Sequence, residues 1–182
     1  SSTHLYVGFV CLIKDMSKQS ELLSLRDNGL SHNDMVAFVL DTFNSKQNGY
    51  YFAATLSGSL YDALIEEDGA KFKPNWDGIW EARVSKHQDG WEAEFKIPFA
   101  SLNYLAGNNQ VWGINFNRDI RSRKEYVYWS PLRKHQSLRK VSKTGMLKGL
   151  KLPIDKKQQS KGYVLLKQTK DHSFFQMGGT HH

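Results

Sequence analysis

Hydrophobic positions along this chain recur mostly at every second residue, the period of a strand whose two faces differ. His4–Leu12 (HLYVGFVCL) is apolar on both faces and rich in Val, Leu, Phe and Tyr, which predicts a strand in the middle of a sheet. Asp34–Thr42 puts Val36, Phe38 and Leu40 on one face. NSKQNG at 44–49 is turn chemistry, and Tyr50–Thr55 supplies the hairpin partner. A turn at Ser57–Ser59 leads to a strand at Leu60–Ile65, and Glu66–Asn75 reads as a polar loop. Trp80–Ser85 and Trp91–Ile97 flank a turn containing Asp89-Gly90. In the second of these, Trp91, Ala93, Phe95 and Ile97 point one way while Glu92, Glu94 and Lys96 point the other; Pro98 ends the strand. Val111–Ile120 alternates again, with Trp112, Ile114, Phe116 and Arg118 on one face, and Glu125–Ser130 is closed by Pro131. Lys18–Leu25 is the helical candidate. About eight short, closely spaced strands predict an all-β, antiparallel, jelly-roll-like sandwich, with Trp91 and Trp112 in its core.

The length of 182 residues suits one domain, and 40% hydrophobic with 24% charged residues excludes wholesale disorder. The net charge of +7 changes meaning when divided. Residues 1–132 hold 13 basic and 16 acidic side chains; residues 133–182 hold 12 and 2. By charge the chain is a mildly acidic body, 1–132, with a basic tail from Arg133 onward; by domain it is a sandwich over residues 1–150 and a tail or linker over 151–182, whose tag-like final residues (Gly178–His182) are excluded from chemistry. Within the tail, GYVLLK at 162–167 is strand-like. With few aromatics beside its charges, the tail reads as a solvated linker near a membrane surface, with contact to anionic lipid as a further option and no specific nucleic-acid partner. The single cysteine, Cys11, excludes an internal disulfide and a cysteine-based zinc site. No apolar run reaches the roughly 20 residues of a membrane-crossing helix. His4, His32, His87, His135 and His172 have no ligand spacing.

Six blocks arrive in a familiar order: LYVGFVC (5–11), RDNGLSHNDMVAFVLDTFN (26–44), YYF (50–52), NWDGIWEA (75–82), DGWEAEFKIPFASLNY (89–104), and WGINFNRDI (112–120) with WSP (129–131). Over about residues 4–150 they resemble the N-terminal domain of a group of bacterial outer-membrane proteins, a domain similar to family 9 carbohydrate-binding modules. The resemblance implies a sandwich that binds saccharide, a TonB-receptor-like β-barrel following it in the parent protein, and a place in the bacterial cell envelope. It also implies that the chain opens at the strand that follows the family's N-terminal pair, and that calcium is a candidate structural ion. Asp27, Asn28, Asp34 and the Glu66-Glu67-Asp68 loop carry the oxygen ligands that calcium would take, although the acidic triplet also reads as a solvated turn.

Sugar rings stack on flat aromatic faces ringed by polar groups. Trp76, in a polar loop, and Trp129, at a strand end, are the preferred pair, since family 9 modules sandwich a terminal ring between two Trp; Trp80 is a third platform. The competing reading has these residues plugging the ends of the sandwich. Asp41 and Asn44 are candidate contacts to a sugar hydroxyl or to calcium, or turn caps. Arg118 shares an apolar face, so it needs a partner, and Glu125 on the next strand is the expected one, with a sugar hydroxyl as the alternative. Three functions follow. The first is non-catalytic saccharide binding; the second is a structural or interaction domain that docks on the parent's barrel and has no sugar site. The third is a glycoside-processing enzyme, for which Glu92 and Glu94, roughly 7 Å apart on one strand face, are the carboxylates.

Overall fold

A computed structural model describes residues 3–13, 33–105, 107, 109–150 and 152, and the backbone of 162–168 and 173–178. The helical candidate at 18–25 and the candidate calcium ligands Asp27 and Asn28 lie outside the described residues. The strands are β1 (His4–Leu12), β2 (Met35–Asp41), β3 (Gly49–Thr55), β4 (Leu60–Glu66), β5 (Lys71–Lys73), β6 (Glu81–His87), β7 (Gly90–Pro98), β8 (Gln110–Ile120), β9 (Glu125–Tyr128), β10 (Gly145–Leu150), β11 (Gly162–Gln168) and β12 (Ser173–Gly178). They form two sheets. One runs β12-β11-β1-β7-β6; the other runs β10-β8-β2-β3-β4-β5, with β9 also pairing β8. Neighbours are antiparallel except β1 and β11, which run parallel. The all-β sandwich expected from the sequence is therefore the fold.

The period-2 pattern puts one face of each sheet inside. Leu5, Val7, Phe9 and Cys11 of β1 meet Trp91, Ala93, Phe95 and Ile97 of β7, and across the gap Val36, Phe38 and Leu40 of β2 meet Ile114 and Phe116 of β8. Phe38 sits at the centre, with ring centroids 5.1 Å from Phe95 and 5.3 Å from Phe52. Trp91 and Trp112 are both core residues. Truncating a ring such as Phe38 costs about 3–5 kcal/mol.

Two stretches depart from the expectation of a tail. Residues 131–144 lie over the outer face of the second sheet, where Leu138 and Val141 join Ala37, Val39, Tyr51, Ala53, Ala63 and Ile65 in a second apolar cluster. That cover is why every residue of β2 and β3 is buried although the strands read as amphipathic. The Arg139 guanidinium lies 3.7 Å above the Phe72 ring, Lys140 pairs with Asp68 at 2.5 Å, and the Ser142 N–H donates to Asp68 Oδ1 at 2.7 Å. The basic residues here hold down a strap. Further on, β11 pairs β1 from Leu5↔Gly162 to Val10↔Lys167, so part of the segment read as a linker extends the first sheet. Glu66–Asn75 likewise contains a 3-10 turn and the short β5 rather than loop alone.

Candidate functional site

The β2–β3 loop, the β5–β6 connection and the β7–β8 loop are tied together at one end of the sandwich. The Thr42 hydroxyl donates to the Asn103 carbonyl at 2.5 Å, the Asn103 N–H donates to the Tyr50 hydroxyl at 2.9 Å, and the Ser101 hydroxyl donates to the Ile79 carbonyl at 2.7 Å. Large apolar side chains stand out of this end: Phe43 is 49%, Leu105 64% and Ile79 81% exposed. Side chains of that size in water are informative when they cluster.

Trp76 belongs to this end. Its indole is partly buried, with centroids 5.2 Å from Tyr50 and 5.9 Å from Phe52. It lies so close over Gly78 that a Cβ there would fall 2.5 Å from Cη2. The next two residues explain how the connection is anchored. Asp62 of β4, fully buried, accepts the Gly78 N–H at 2.7 Å and the Trp80 indole N–H at 2.9 Å. Trp80 is consequently a core residue, stacked on Phe95 at 5.7 Å and 5% exposed. It presents no face to a ligand, which corrects its expected role as a platform. The polar handle of an indole finds a buried acceptor, and the ring follows it inward.

Trp129 lies elsewhere. It packs edge-on against Phe116 of β8 at 5.8 Å and covers Gly145, where a Cβ would fall well inside van der Waals contact of the ring. Strand β2 runs between β8 and β3, and its Phe38 and Leu40, both fully buried, fill the space over it. Trp76 thus rests on Tyr50 and Phe52 of β3 and Trp129 on Phe116 of β8, with β2 running between those two strands.

Asp41 is buried and caps its own turn. Its carboxylate accepts the Ser45 N–H at 3.0 Å, the Ser45 hydroxyl at 3.3 Å and the Lys46 N–H at 2.7 Å. Of the two readings of Asp41, the turn cap is the one formed. Asn44 takes a left-handed φ of 49° in the same turn, a conformation Asn tolerates better than most residues. Its Oδ1 is buried and meets no donor among the described residues. A buried acceptor left without a donor is costly unless a water or a ligand hydroxyl supplies one.

Arg118 does not pair with Glu125. Register places it opposite Val127, with Glu125 opposite Ile120; the Glu125 carboxylate lies 3.8 Å from Arg123 at the surface. Arg118 is buried instead, donates to the Leu12 carbonyl at 3.1 Å, and acts electrostatically on Asp34 and Cys11. Burial nevertheless pushes the Asp34 carboxyl above its ordinary range, against the opposing pull of the Arg121 N–H, 2.8 Å from Oδ1, and of the Arg118 and Arg121 charges. Asp119, equally buried, is pushed up to about 6 by desolvation although the Arg121 guanidinium lies 2.7 Å away.

The acidic triplet does not fit a calcium ion. Glu66 pairs with Lys73 at 2.6 Å, Glu67 pairs with Lys71, and Asp68 is held by Lys140 and Ser142. Among the described residues, no three carboxylate, imidazole or thiol groups converge on one point. Glu92 and Glu94 stand side by side on β7, both exposed, rather than facing each other across a cleft. Glycosidase carboxylates flank the bond they cleave, which this arrangement does not provide.

Sequence reasoning missed Phe43, Tyr50, Ile79 and Asn103 at the loop end. The signal lay in apolar residues stranded beside turn chemistry: Phe43 next to the NSKQNG turn, and Ile79 between Gly78 and Trp80.

No family model matches the sequence, and no curated protein matches it. Among solved structures, the chain shares its fold with a candidate carbohydrate-binding protein from Bacteroides uniformis. That likeness has a TM-score of 0.59 at 14% identity over 71% of this chain and 67% of the other. Looser likenesses, both with a TM-score of 0.49 at 13% identity, are to a family 9 carbohydrate-binding module from Caldicellulosiruptor kristjanssonii solved with cellotriose and solved with glucose. The chain spans 62% and 63% of those two. The fold is thus a β-sandwich shared with the Bacteroides protein.

Proposed function

We propose that this chain is a non-catalytic saccharide-binding β-sandwich module of a larger bacterial envelope protein, and that the sugar docks at the loop end. The observation that carries the reading is Trp76: an indole fixed by Tyr50, Phe52 and Gly78, yet still partly exposed where three loops meet. An immobile aromatic face offers contact area at little entropic cost on binding. Exposed Phe43 and the Asn44 acceptor, which meets no donor among the described residues, extend the site toward the β2–β3 turn. Loops on a rigid scaffold are where binding residues concentrate. The fold shared with the candidate carbohydrate-binding protein from Bacteroides uniformis supports the same reading.

The test is tryptophan fluorescence titrated with mono- and oligosaccharides, with and without calcium. A saturable change that disappears in Trp76→Ala supports the reading. A folded protein that responds to no sugar refutes it. The second reading, docking on the parent's β-barrel, draws on the same exposed Phe43, Ile79 and Leu105, because exposed apolar clusters also mark protein contacts. It predicts that polar replacements of Ile79 and Leu105 abolish association with the barrel and that no sugar perturbs the folded protein.

A further inference from the structure

The outer face of the first sheet carries a cavity of about 460 Å3, within the roughly 300–1,000 Å3 of small-molecule sites. It is lined by Tyr6 and Gly8 of β1, Arg83 and Ser85 of β6, and Glu92 and Glu94 of β7. Register explains why a hollow forms on a sheet. Gly8, Glu94 and Arg83 lie in one cross-strand row, and Gly8 contributes no side chain to it. The rows on either side begin with Tyr6 and Val10, which stand as walls along β1.

The charges around the hollow select the ligand. Arg83 and Glu94 face each other across the β6–β7 pair, yet neither has an ion pair or hydrogen bond among the described residues. Their neighbours are paired: Lys96 with Glu81 at 3.2 Å, and Glu92 with His87 at 3.6 Å. An anionic ligand would meet two carboxylates, and a cationic one would meet the Arg83 guanidinium, which has no ion pair among the described residues. An apolar ligand would strip water from charges and return nothing. A hydroxyl both donates and accepts, so vicinal hydroxyls satisfy a carboxylate and a guanidinium together, through charge-assisted bonds. The half-buried Tyr6 ring adds an aromatic wall.

We propose that this groove binds a neutral polyhydroxylated chain, a short oligosaccharide lying across β1, β7 and β6, at a site separate from the loop end and not dependent on it. Calorimetric titration of the whole chain with neutral trisaccharides of glucose, xylose and mannose tests this, with a trisaccharide of uronic acids as the charged contrast. Arg83→Ala and Glu94→Gln alter exposed side chains, and far-UV circular dichroism with a thermal melt verifies that both variants fold. The expected result is binding of a neutral trisaccharide that survives Trp76→Ala, weakens about tenfold in Arg83→Ala and in Glu94→Gln, and is not matched by the uronic acid chain. If all binding vanishes in Trp76→Ala, or both groove variants keep the parent's affinity, the groove proposal is overturned. If Trp76→Ala changes nothing while the groove variants lose binding, the loop-end reading fails and the groove stands. Absence of binding by any neutral sugar overturns both.

Discussion

Replacing Asp62 by Ala removes the acceptor that fixes the β5–β6 connection. The structure assigns two donors to its Oδ2, the Gly78 N–H at 2.7 Å and the Trp80 indole N–H at 2.9 Å, in a place with no solvent access. A hydrogen bond to a charged group contributes about 1.5–3 kcal/mol, and each stranded buried donor is costly in its own right. Removing a buried charge offsets part of this, since its desolvation no longer opposes folding. The net expectation is a loss of about 3–4 kcal/mol, a large fraction of the stability of a domain this size. Trp80→Phe is the comparison: it keeps the ring against Phe95 and leaves Asp62 bonded to Gly78, so it should cost about 1–2 kcal/mol. Urea unfolding followed by circular dichroism measures both, with m compared to exclude a changed denatured state. An Asp62→Ala loss below about 1 kcal/mol at unchanged m would refute the assignment of Asp62 as the anchor of this connection.

Gly90→Ala places a Cβ against the Cys11 carbonyl, inside van der Waals contact of backbone that cannot swing aside, so denaturant melts should show a loss of about 3 kcal/mol or more. Cys11 is buried and its thiol is pushed up to about 12 by desolvation, so a thiol reagent at neutral pH should label it only after unfolding. The folded state raises the Asp119 carboxyl from about 4 to about 6, so the native protein holds that proton more tightly than the unfolded chain does. The resulting stability is fully present below about pH 4 and is lost, by about 3 kcal/mol in all, as pH rises through 6, a slope that Asp119→Asn should flatten in urea melts. Gly145→Ala should expel the Trp129 ring and shift tryptophan emission without weakening sugar binding.

Much of the fold was legible because period-2 alternation is a strong local signal. β7 and β8 show it plainly: Trp91, Phe95, Trp112 and Phe116 all landed in the core as their spacing demanded. What the sequence did not reveal depended on contacts between distant segments. The strap at 131–144 looks like a solvated basic run until Arg139 meets Phe72 and Lys140 meets Asp68. The parallel partnership of β1 with β11 joins residues more than a hundred positions apart, which no local pattern encodes.

The candidate site was harder to read for the same reason. A tryptophan beside turn residues looks alike whether it points outward, as Trp76 partly does, or inward, as Trp80 does. The difference is the buried Asp62 that draws the Trp80 N–H to itself. Arg118 shows the limit of nearest-strand pairing: Glu125 lies on the adjacent strand, but the guanidinium reaches back to the Leu12 carbonyl. Gly8, unremarked in a strand apolar on both faces, became visible once Glu94 and Arg83 were seen beside it in one row.

The measurement that bears most directly on the saccharide-binding reading is a backbone amide NMR titration of the whole chain with neutral oligosaccharides. Saturable shifts concentrated at residues 42–48, 74–80 and 99–105, and absent in Trp76→Ala, are the predicted result. A folded spectrum that no sugar perturbs at those loops would contradict the account.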